Sequence, residues 1–332
     1  MADFRYPWKN VLSAWSGWLI DGYISLTFLL TIVSTPSITQ IYFPSSDFYG
    51  QSFLFATLGF VLTSGIPRFV GSGFLGNFIG DRLGRRNLLI VTVPVFSFAN
   101  LMIFFVPSFA RIGYLSPMLI YTIALVIGFF AGAEYGGGAA LSMESVPAEK
   151  RLLTGAFVQS GYGTGFVLIA FTSFILSSHL GTAAYDSYGF RYLFLISVIP
   201  ALISLTLRYS SKETEVFDNM QEKKEIEKVP FIAMITSEGK KSLYGFLTVF
   251  IIIAGLLTVN TATFSYYFIV LLHDSFSANF AKYDFVYIMI INSVSIAGVF
   301  FGALLALKII ARKESIFIFS VIFFIISIPA VH

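Results

Sequence analysis

The 332-residue chain contains no cysteine and only three histidines, at scattered positions. The absence of cysteine excludes disulfides, thiol catalysis and cysteine metal sites, and the histidines show no metal-ligand spacing. Charged residues are also scarce, because they make up 12% of the chain against about 25% in a soluble domain. Hydrophobic residues make up 56%, 38 residues are Phe, and the mean hydropathy is +0.81. This composition predicts a polytopic membrane protein without a cofactor.

Long apolar segments run through most of the chain. Hydropathy predicts nine of them, each long enough to cross a bilayer as a helix. The predicted spans are 11–33, 52–79, 87–107, 114–140, 152–178, 190–208, 243–272, 283–307 and 314–331. The fold class expected from this pattern is an all-α polytopic membrane protein.

The distribution of basic residues gives the orientation of these spans. Sorting the 21 Lys and Arg residues by the loops that hold them places 17 on one side of the membrane and leaves Arg68 within a span. The three on the opposite side are Arg111, Arg191 and Lys282. Because Lys and Arg are enriched in cytoplasmic loops, this asymmetry predicts a cytoplasmic N-terminus. We expect a multi-pass protein of the cell membrane.

One long polar segment, 209–241, divides the chain. It separates six predicted spans from three, so we expect an N-terminal six-helix half at 1–208, a cytoplasmic central loop at 209–241 and a partial C-terminal half at 242–332. A weak repeat crosses the loop, because 81–86 aligns with 308–313 and both segments contain a basic pair. Two related halves joined by a cytoplasmic loop are typical of secondary transporters.

Three charged residues fall inside predicted spans: Asp21, Arg68 and Glu134. A charge at the centre of a spanning helix costs about 2.5–3.5 kcal/mol on insertion scales, so intramembrane charges usually have a function. Asp21 shares a helix face with Gly17 and Ser25 at i, i+4 spacing, and this polar face should line a cavity. Asp21 could load and release a coupling proton, or it could form a structural hydrogen bond to a neighbouring helix.

Arg68 and Glu134 each allow two interpretations. The guanidinium of Arg68 matches carboxylate geometry, so it could bind an anionic substrate or form a fixed ion pair with Asp21 or Glu134. Glu134 faces away from a stripe of small residues that predicts close helix packing. Glu134 could therefore face the cavity and carry the coupling proton, or it could pair with Arg68. The stripe comprises Gly128, Gly132, Gly136 and Ala140.

Other polar residues in the spans are weaker candidates. Gln159 in span 5 lies beside a second small-residue seam, Gly161-x-x-x-Gly165. Asn260 and Asn292 lie in the second half. All three could contact substrate alongside Arg68, although each is more readily explained as an interhelical hydrogen bond.

A dense charged turn lies at 80–86, between spans 2 and 3. Ion pairs that form there in one conformation and break in another would bias a two-state rocking motion. The alternative is that its arginines serve topology alone. The cytoplasmic gate predicted on this basis comprises Asp81, Arg82, Gly84, Arg85, Arg86, Glu144 and Arg151.

Several of these motifs resemble those of major facilitator superfamily transporters. Residues 80–86 resemble the superfamily's cytoplasmic signature, and Gly132-Ala133-Glu134-Tyr135-Gly136-Gly137 resembles its Gly-Gly-Glu-aromatic-Gly-Gly motif in span 4. The chain is most similar to the metabolite:proton symporters and the sialate and lactate:proton symporters. The segments that carry this closer resemblance are 17–23, 43–47, 55–57, 144–147, 159–162 and 213–217.

The resemblance implies a major facilitator fold and a symport mechanism. Related families carry an Arg and a Gln where this chain has Ala124 and Ile127, and that Arg is linked to proton coupling. Uniport of a zwitterion or a sugar is therefore one alternative. The family has twelve spans against the nine predicted here, so a truncated non-transporting remnant or a membrane sensor is another.

The interpretation favoured by these features is proton-coupled symport of a small organic anion, such as a carboxylate metabolite, by alternating access. Arg68 would attract the carboxylate, and Asp21 or Glu134 would carry the proton. The expected partners are the anion, protons and the lipid bilayer, with no nucleic acid, and the expected state is monomeric. An enzyme is disfavoured because the spans contain no Ser-Lys, paired Asp or His-metal constellation.

Overall fold

A computed structural model describes residues 6–33, 35–44, 53–222 and 284–309, together with Tyr244, Glu314, Phe317, Ile318, Val321 and Ile322. All of the elements within these residues are helices. The α-helices are α1 (Trp8–Phe28), α2 (Pro36–Tyr42), α3 (Phe53–Ser64), α4 (Ile66–Leu75), α5 (Asp81–Leu83), α6 (Arg85–Met102), α7 (Phe109–Ile112), α8 (Leu115–Glu144), α9 (Arg151–Leu180), α10 (Thr182–Ala184), α11 (Arg191–Ile196), α12 (Val198–Ser210), α13 (Glu215–Glu222) and α14 (Asp284–Lys308). Short 3-10 or π-helical turns occupy Leu29–Val33, Gly76–Gly80, Ile103–Phe105, Ala148–Lys150 and Tyr185–Gly189.

Seven segments of the described residues are long and apolar enough to cross a membrane. They are Trp8–Val33, Leu58–Leu75, Arg85–Phe105, Leu115–Glu144, Ala148–Leu180, Arg191–Ser210 and Phe285–Lys308. They confirm the all-α membrane fold and match the first six predicted spans and the eighth. Apart from isolated positions, the predicted spans 243–272 and 314–331 lie outside the described residues, as does most of the central loop.

The first span, Trp8–Val33, is more enclosed than any other described span. Helix α9 can approach it closely because the contact is made through glycine. A Cβ at Gly161 would lie 2.5 Å from the carbonyl oxygen of Trp15, and one at Gly165 would collide with the carbonyl oxygen of Leu19. The predicted Gly161-x-x-x-Gly165 seam is therefore confirmed, and its partner is α1.

The small-residue stripe of α8 packs against the second span. A Cβ at Gly128 would collide with the carbonyl oxygen of Leu62, and one at Gly132 would collide with the backbone of Arg68. Gly71 makes the reciprocal approach to the backbone of Phe129. The stripe thus brings α8 against the backbone on which Arg68 is mounted.

The second span is broken between α3 and α4. The break lies at Gly65, which has φ −101° and ψ −124°, outside the helical region. Pro67 follows it, and because proline has no backbone N–H, the carbonyl of Thr63 loses the helical partner that residue 67 would supply. The carbonyl oxygen of Thr63 is therefore available to accept a hydrogen bond from a side chain, and it lies five residues before Arg68 in the sequence.

The described helix of the C-terminal half, α14, packs along α9. A Cβ at Gly163 would lie 2.8 Å from Ile296, so the two helices meet closely at this glycine. At one end of the contact, the rings of Tyr185 and Phe285 lie 5.8 Å apart, edge to face. These contacts join the described part of the second half to the six N-terminal spans.

Candidate functional site

Asp21 and Arg68 form a two-pronged ion pair inside the helical bundle. Nη1 of Arg68 donates to Oδ2 of Asp21 at 2.6 Å, and Nη2 donates to Oδ1. The Asp21 side chain is fully buried, whereas the Arg68 side chain retains 18% exposure. Of the two ion-pair partners predicted for Arg68, the structure selects Asp21.

Two further groups fix the position of the Arg68 guanidinium. Its Nε donates to the carbonyl oxygen of Thr63 at 2.9 Å, and this is the oxygen that the helix break leaves free. Nη2 also donates to Ser25 Oγ at 3.0 Å, and Ser25 in turn donates to Asp21 Oδ1 at 3.3 Å. The carboxylate and the guanidinium are therefore held by a small polar network rather than by each other alone.

The polar face of α1 does not line an open cavity, contrary to the prediction. Gly17, Asp21 and Ser25 are all buried. Asp21 and Ser25 face Arg68, and Gly17 faces a second ion pair. The prediction was wrong because neighbouring helices, rather than water, satisfy the polar groups of this face.

A row of four aromatic rings lies beside the ion pair. Trp18 lies between Tyr135 and Tyr162, tilted by 32° to each ring, with ring centroids 4.3 Å and 4.7 Å away, and Tyr162 lies 4.7 Å from Phe166. Tyr162 lies against α1 next to Asp21, because a Cβ at Gly22 would collide with the carbonyl oxygen of Tyr162. Tyr135, at the end of the row, is 45% exposed. The row therefore forms a partly open apolar wall next to the charged pair.

Gln159, a predicted substrate contact, lies against this aromatic row. Its Oε1 accepts a hydrogen bond of 3.2 Å from Nε1 of Trp18, at an exposed position. Sequence reasoning did not identify the row, because aromatic residues make up 17% of the chain and their spacing carries no signal. The available signal was that Tyr135 and Tyr162 each lie inside a motif that resembles the family.

Glu134 forms a second intramembrane ion pair, with Arg208. Nη2 of Arg208 donates to Oε1 of Glu134 at 2.5 Å, and Nη1 donates to Oε2 at 3.1 Å. Both side chains are buried, with at most 1% exposure. The prediction that Glu134 pairs with Arg68 is wrong, since its partner is Arg208 at the last turn of α12.

Arg208 has a partner for every N–H group of its guanidinium. Nε donates to Ser204 Oγ at 3.2 Å, and the remaining donors reach the carbonyl oxygens of Leu89 at 3.1 Å and Ser13 at 3.4 Å. Thr92 Oγ1 donates a hydrogen bond of 2.7 Å to Glu134 Oε2, in addition to the bonds that the carboxylate accepts from Arg208. The sequence predicts Arg208 to be one of the 17 basic residues of the cytoplasmic side, because it stands at the end of an apolar span close to Lys212.

The charged turn at 80–86 is organised by a residue outside the predicted gate. Glu213 accepts hydrogen bonds from the backbone N–H groups of Arg85 at 3.1 Å and Arg86 at 3.0 Å. These are the unpaired donors at the start of α6, where a negative charge is favourable. Gly84 precedes them at φ +105°, and a Cβ there would collide with the Glu213 carboxylate.

The side chains of the turn pair mainly within the N-terminal half. The Arg85 side chain forms an ion pair with Asp81, which lies four residues earlier in the same charged turn. Its Nε also lies 3.6 Å from Oε1 of Glu144. Oε2 of Glu144 also accepts a hydrogen bond of 2.9 Å from Thr214 Oγ1. The predicted pairing of the turn with Glu144 is therefore present, at the long end of ion-pair distances.

Two arginines of the predicted gate cap helix ends. Arg86 Nη2 donates to the carbonyl oxygen of Tyr209 at 3.2 Å, near the end of α12. Arg151 Nε donates to the carbonyl oxygens of Met143 at 3.1 Å and Val146 at 3.4 Å, at the end of α8. These bonds satisfy carbonyls that a helix terminus leaves unpaired, where cations are favoured.

The remaining predicted substrate contacts lie in the second half. Asn292 is nearly buried, and its Nδ2 donates to the carbonyl oxygen of Ile288 at 2.9 Å, within its own helix. This bond differs from the interhelical one considered from the sequence. Asn260 lies outside the described residues. Among the residues that the structure describes, no cluster of His, Asp and Glu could hold a metal ion.

Comparison with known proteins gives one family. The family model of the Major Facilitator Superfamily matches residues 23–332. The shikimate transporter of Escherichia coli (strain K12) is 33% identical over 214 residues, which are 64% of this chain and 48% of that protein. The glycine betaine/proline/ectoine/pipecolic acid transporter OusA of Dickeya dadantii is 32% identical over 186 residues, 56% of this chain and 36% of its own length. The chain thus spans about half the length, or less, of these relatives.

Solved structures share the fold. The partially occluded, inward-open xylose transporter XylE from E. coli matches with a TM-score of 0.66 at 17% identity, over 92% of this chain and 72% of that one. The proton:xylose symporter XylE bound to 6-bromo-6-deoxy-D-glucose matches with a TM-score of 0.69 at 19% identity, over 92% and 70%. At this level of identity the likeness concerns the arrangement of helices alone.

Proposed function

The chain belongs to the major facilitator superfamily, and we propose from this membership that it is a secondary active transporter, which moves a small organic anion together with protons by alternating access. The observation that carries the proposal is the buried ion pair of Asp21 and Arg68. Such a pair is costly to place within a membrane, and it lies beside an apolar wall that suits the carbon skeleton of a metabolite.

Arg68 is the group that would bind the anion. Its two-pronged geometry serves one carboxylate at a time, so a substrate carboxylate that takes the same position must displace Asp21. A displaced Asp21 would be a buried charge without a partner, which costs several kcal/mol. Asp21 would therefore take up a proton as the substrate binds.

Proton binding and anion binding would consequently favour each other. Protonation of Asp21 removes its negative charge and frees the Arg68 guanidinium, which raises the affinity for the anion. By thermodynamic linkage, anion binding raises the affinity for the proton by the same factor. A monocarboxylate and one proton together carry no net charge, so the loaded transporter could change conformation without moving charge through the bilayer.

The break in the second span supports this position for the site. Discontinuous helices commonly form the substrate sites of secondary transporters near the bilayer midplane. Here the break supplies the Thr63 carbonyl that orients Arg68. The aromatic row of Trp18 and its neighbours would bound the site on one side, with Gln159 at its exposed edge.

We assign the coupling proton to Asp21 and a structural role to Glu134. Both oxygens of Glu134 are occupied by Arg208, and one also accepts from Thr92, in a network that has no exposed member. In the described arrangement both side chains are buried, so a substrate would not contact Arg208. Asn260 and Asn292 stay predictions as substrate contacts.

The names of the relatives are compatible with a carboxylate substrate. Shikimate, proline and glycine betaine each contain a carboxylate group, which is the group that Arg68 would bind. A zwitterion is therefore the second candidate substrate class. Its cationic end could lie against the exposed ring of Tyr135, since aromatic faces attract ammonium groups.

The charged turn would act as the cytoplasmic gate of this transporter. In the arrangement described, Asp81, Arg85 and Glu144 pair within the N-terminal half. Contacts to the second half would form and break as the two halves rock. We also propose a cytoplasmic N-terminus, a location in the cell membrane and a monomeric state.

Proton flux into proteoliposomes that contain the full chain tests the proposal. An internal pH dye would report while carboxylates, zwitterions and sugars are added in turn. We expect one carboxylate to acidify the lumen, and Asp21→Asn to abolish this acidification while exchange of the labelled anion persists, because Asn mimics the protonated acid. Uptake of labelled anion without acidification in the unmodified protein would mean uniport. The absence of both anion uptake and acidification would favour a chain that does not transport.

A further inference from the structure

A cleft at the end of the bundle opposite the charged turn gathers two of the rare cations of that side. It has a volume of about 470 Å³. Only three Lys and Arg residues are assigned to this side by the sequence, and two of them, Arg111 and Arg191, line this one cleft. The other lining residues are Ile41, Phe105, Pro107, Ser108, Ser187 and Tyr188. Cations are depleted on this side of membrane proteins, so topology does not explain their convergence.

Arg191 is held in a fixed orientation at the cleft. Its Nη1 donates to the carbonyl oxygens of Phe104 at 3.1 Å and Val106 at 3.0 Å. Its guanidinium lies over the ring of Tyr42 at 5.4 Å and near that of Phe190 at 5.8 Å. These contacts use the donors of Nη1, and within the described residues Nη2 and Nε have no hydrogen-bond partner and can donate to a ligand.

Arg111 stands across the cleft on the short helix α7, and its side chain is exposed. No side-chain hydrogen bond or ion pair joins Arg111 to another residue of the described ranges. Asp186 directly precedes the lining residue Ser187 in the sequence. Its Oδ2 accepts a hydrogen bond of 2.8 Å from Ser37 Oγ. Burial raises the pKa of Asp186 above its usual value, and the hydrogen bond from Ser37 opposes this shift.

Below the cleft, the spans that contain α6 and α11–α12 present an exposed apolar surface. Large side chains with 40–62% exposure run down it from the level of the arginines: Phe98, Phe105, Tyr192, Leu195 and Ile199. Aromatic residues at this level are typical of the membrane–water boundary. A ligand of the cleft could therefore have an anionic head at the arginines and apolar chains along the helices.

We propose that this cleft binds the phosphate of an anionic phospholipid, with Arg111 and Arg191 as its ligands and the acyl chains on the surface of α6 and α12. Arginine forks match phosphate oxygens, and the Ser108 and Tyr188 hydroxyls add further donors. The proposal concerns a site separate from Asp21 and Arg68 and does not depend on the transport activity.

Lipid binding by the full chain in neutral-detergent micelles tests this proposal. Native mass spectrometry would count bound phosphatidylglycerol and phosphatidylcholine at matched concentrations, for the unmodified protein and for Arg111→Gln. We expect a phosphatidylglycerol site that the variant weakens about tenfold, as fits loss of a charge-assisted bond. Arg111 is the choice for substitution because Arg191 also caps backbone carbonyls.

A charge-matched control separates this site from general attraction to anionic lipid. Lys212→Gln removes one cation from the opposite end of the bundle and should leave the site intact. Equal weakening by Lys212→Gln, equal binding of phosphatidylcholine, or unchanged phosphatidylglycerol affinity in Arg111→Gln would each overturn the proposal. Displacement of the lipid by millimolar glycerol phosphate would also overturn it, because the cleft would then bind a free anion rather than a lipid.

Discussion

Gly17 lies directly against the guanidinium of Arg208. A Cβ built on Gly17 would collide with Nη2 of Arg208 and with Oε1 of Glu134. The close approach of α1 to this buried ion pair therefore requires a residue without a side chain. Ser13, one turn earlier on the same helix, contributes its carbonyl oxygen to the same guanidinium at 3.4 Å.

The first prediction follows from this contact. Gly17→Ala should destabilise the protein by about 1–3 kcal/mol, because the atoms that it would displace belong to a fully bonded network rather than to a flexible chain end. Thermal unfolding in detergent measures the change. The matched control is Gly73→Ala in α4, where no atom of the described residues lies within 4 Å of the added Cβ, and which should be neutral or slightly stabilising. Equal melting temperatures for the two variants would contradict the prediction.

The second prediction concerns the energetic coupling of Glu134 and Arg208. Either Glu134→Met or Arg208→Met leaves one buried charge without its partner, which typically costs about 3–5 kcal/mol. The double variant removes both charges and fills similar volume, so it should lose much less than the sum of the single losses. A double-mutant cycle of unfolding free energies provides the measurement. Additive losses would show that the two side chains do not act as a pair.

The third prediction concerns the geometry of Arg68. Arg68→Lys keeps the positive charge but cannot bond both oxygens of a carboxylate and the Thr63 carbonyl at the same time. We expect the KM for the anion to rise about tenfold or more with a smaller effect on the melting temperature. Transport in proteoliposomes, with melting temperature as the folding control, measures both. An unchanged KM would mean that Arg68 serves only as the partner of Asp21.

The spans were predictable from the sequence because membrane insertion depends on local composition. Each apolar segment is about as long as the bilayer is thick, so hydropathy alone locates it. The seams at Gly161 and Gly132 were predictable for a similar reason, since small residues four positions apart mark a close-packing face whatever the partner. The identity of each partner helix, α1 or α4, came only from the structure.

The pairing of the charges was beyond the sequence. Arg208 lies at the end of an apolar span next to Lys212, a position where a basic residue is already explained by topology. Whether its side chain turns outward or into the bundle depends on the rotation of α12 against α1 and α6, which tertiary packing determines. The same holds for Glu213, which stands in a polar segment with no sign that it reaches the start of α6.

The last prediction concerns Glu213 as the cap of the charged turn. Its carboxylate accepts from the backbone N–H groups of Arg85 and Arg86, so Glu213→Ala leaves two donors at the start of α6 without a partner. Loss of such a cap typically costs about 0.5–2 kcal/mol. Glu222→Ala, on the short helix α13 that follows, removes an acid of the same central segment as a control and should have little effect on the melting temperature.

A comparison of Glu213→Ala with Gly84→Ala separates the cap from the backbone turn. Gly84→Ala should cost more than loss of the cap, because it adds strain at φ +105° and also drives its Cβ into the Glu213 carboxylate. In the Glu213→Ala background the collision disappears and only the strain persists, so the two losses should sum to more than the loss of the double variant. Strict additivity would mean that Gly84 acts through its backbone conformation alone and that the turn is not built around Glu213.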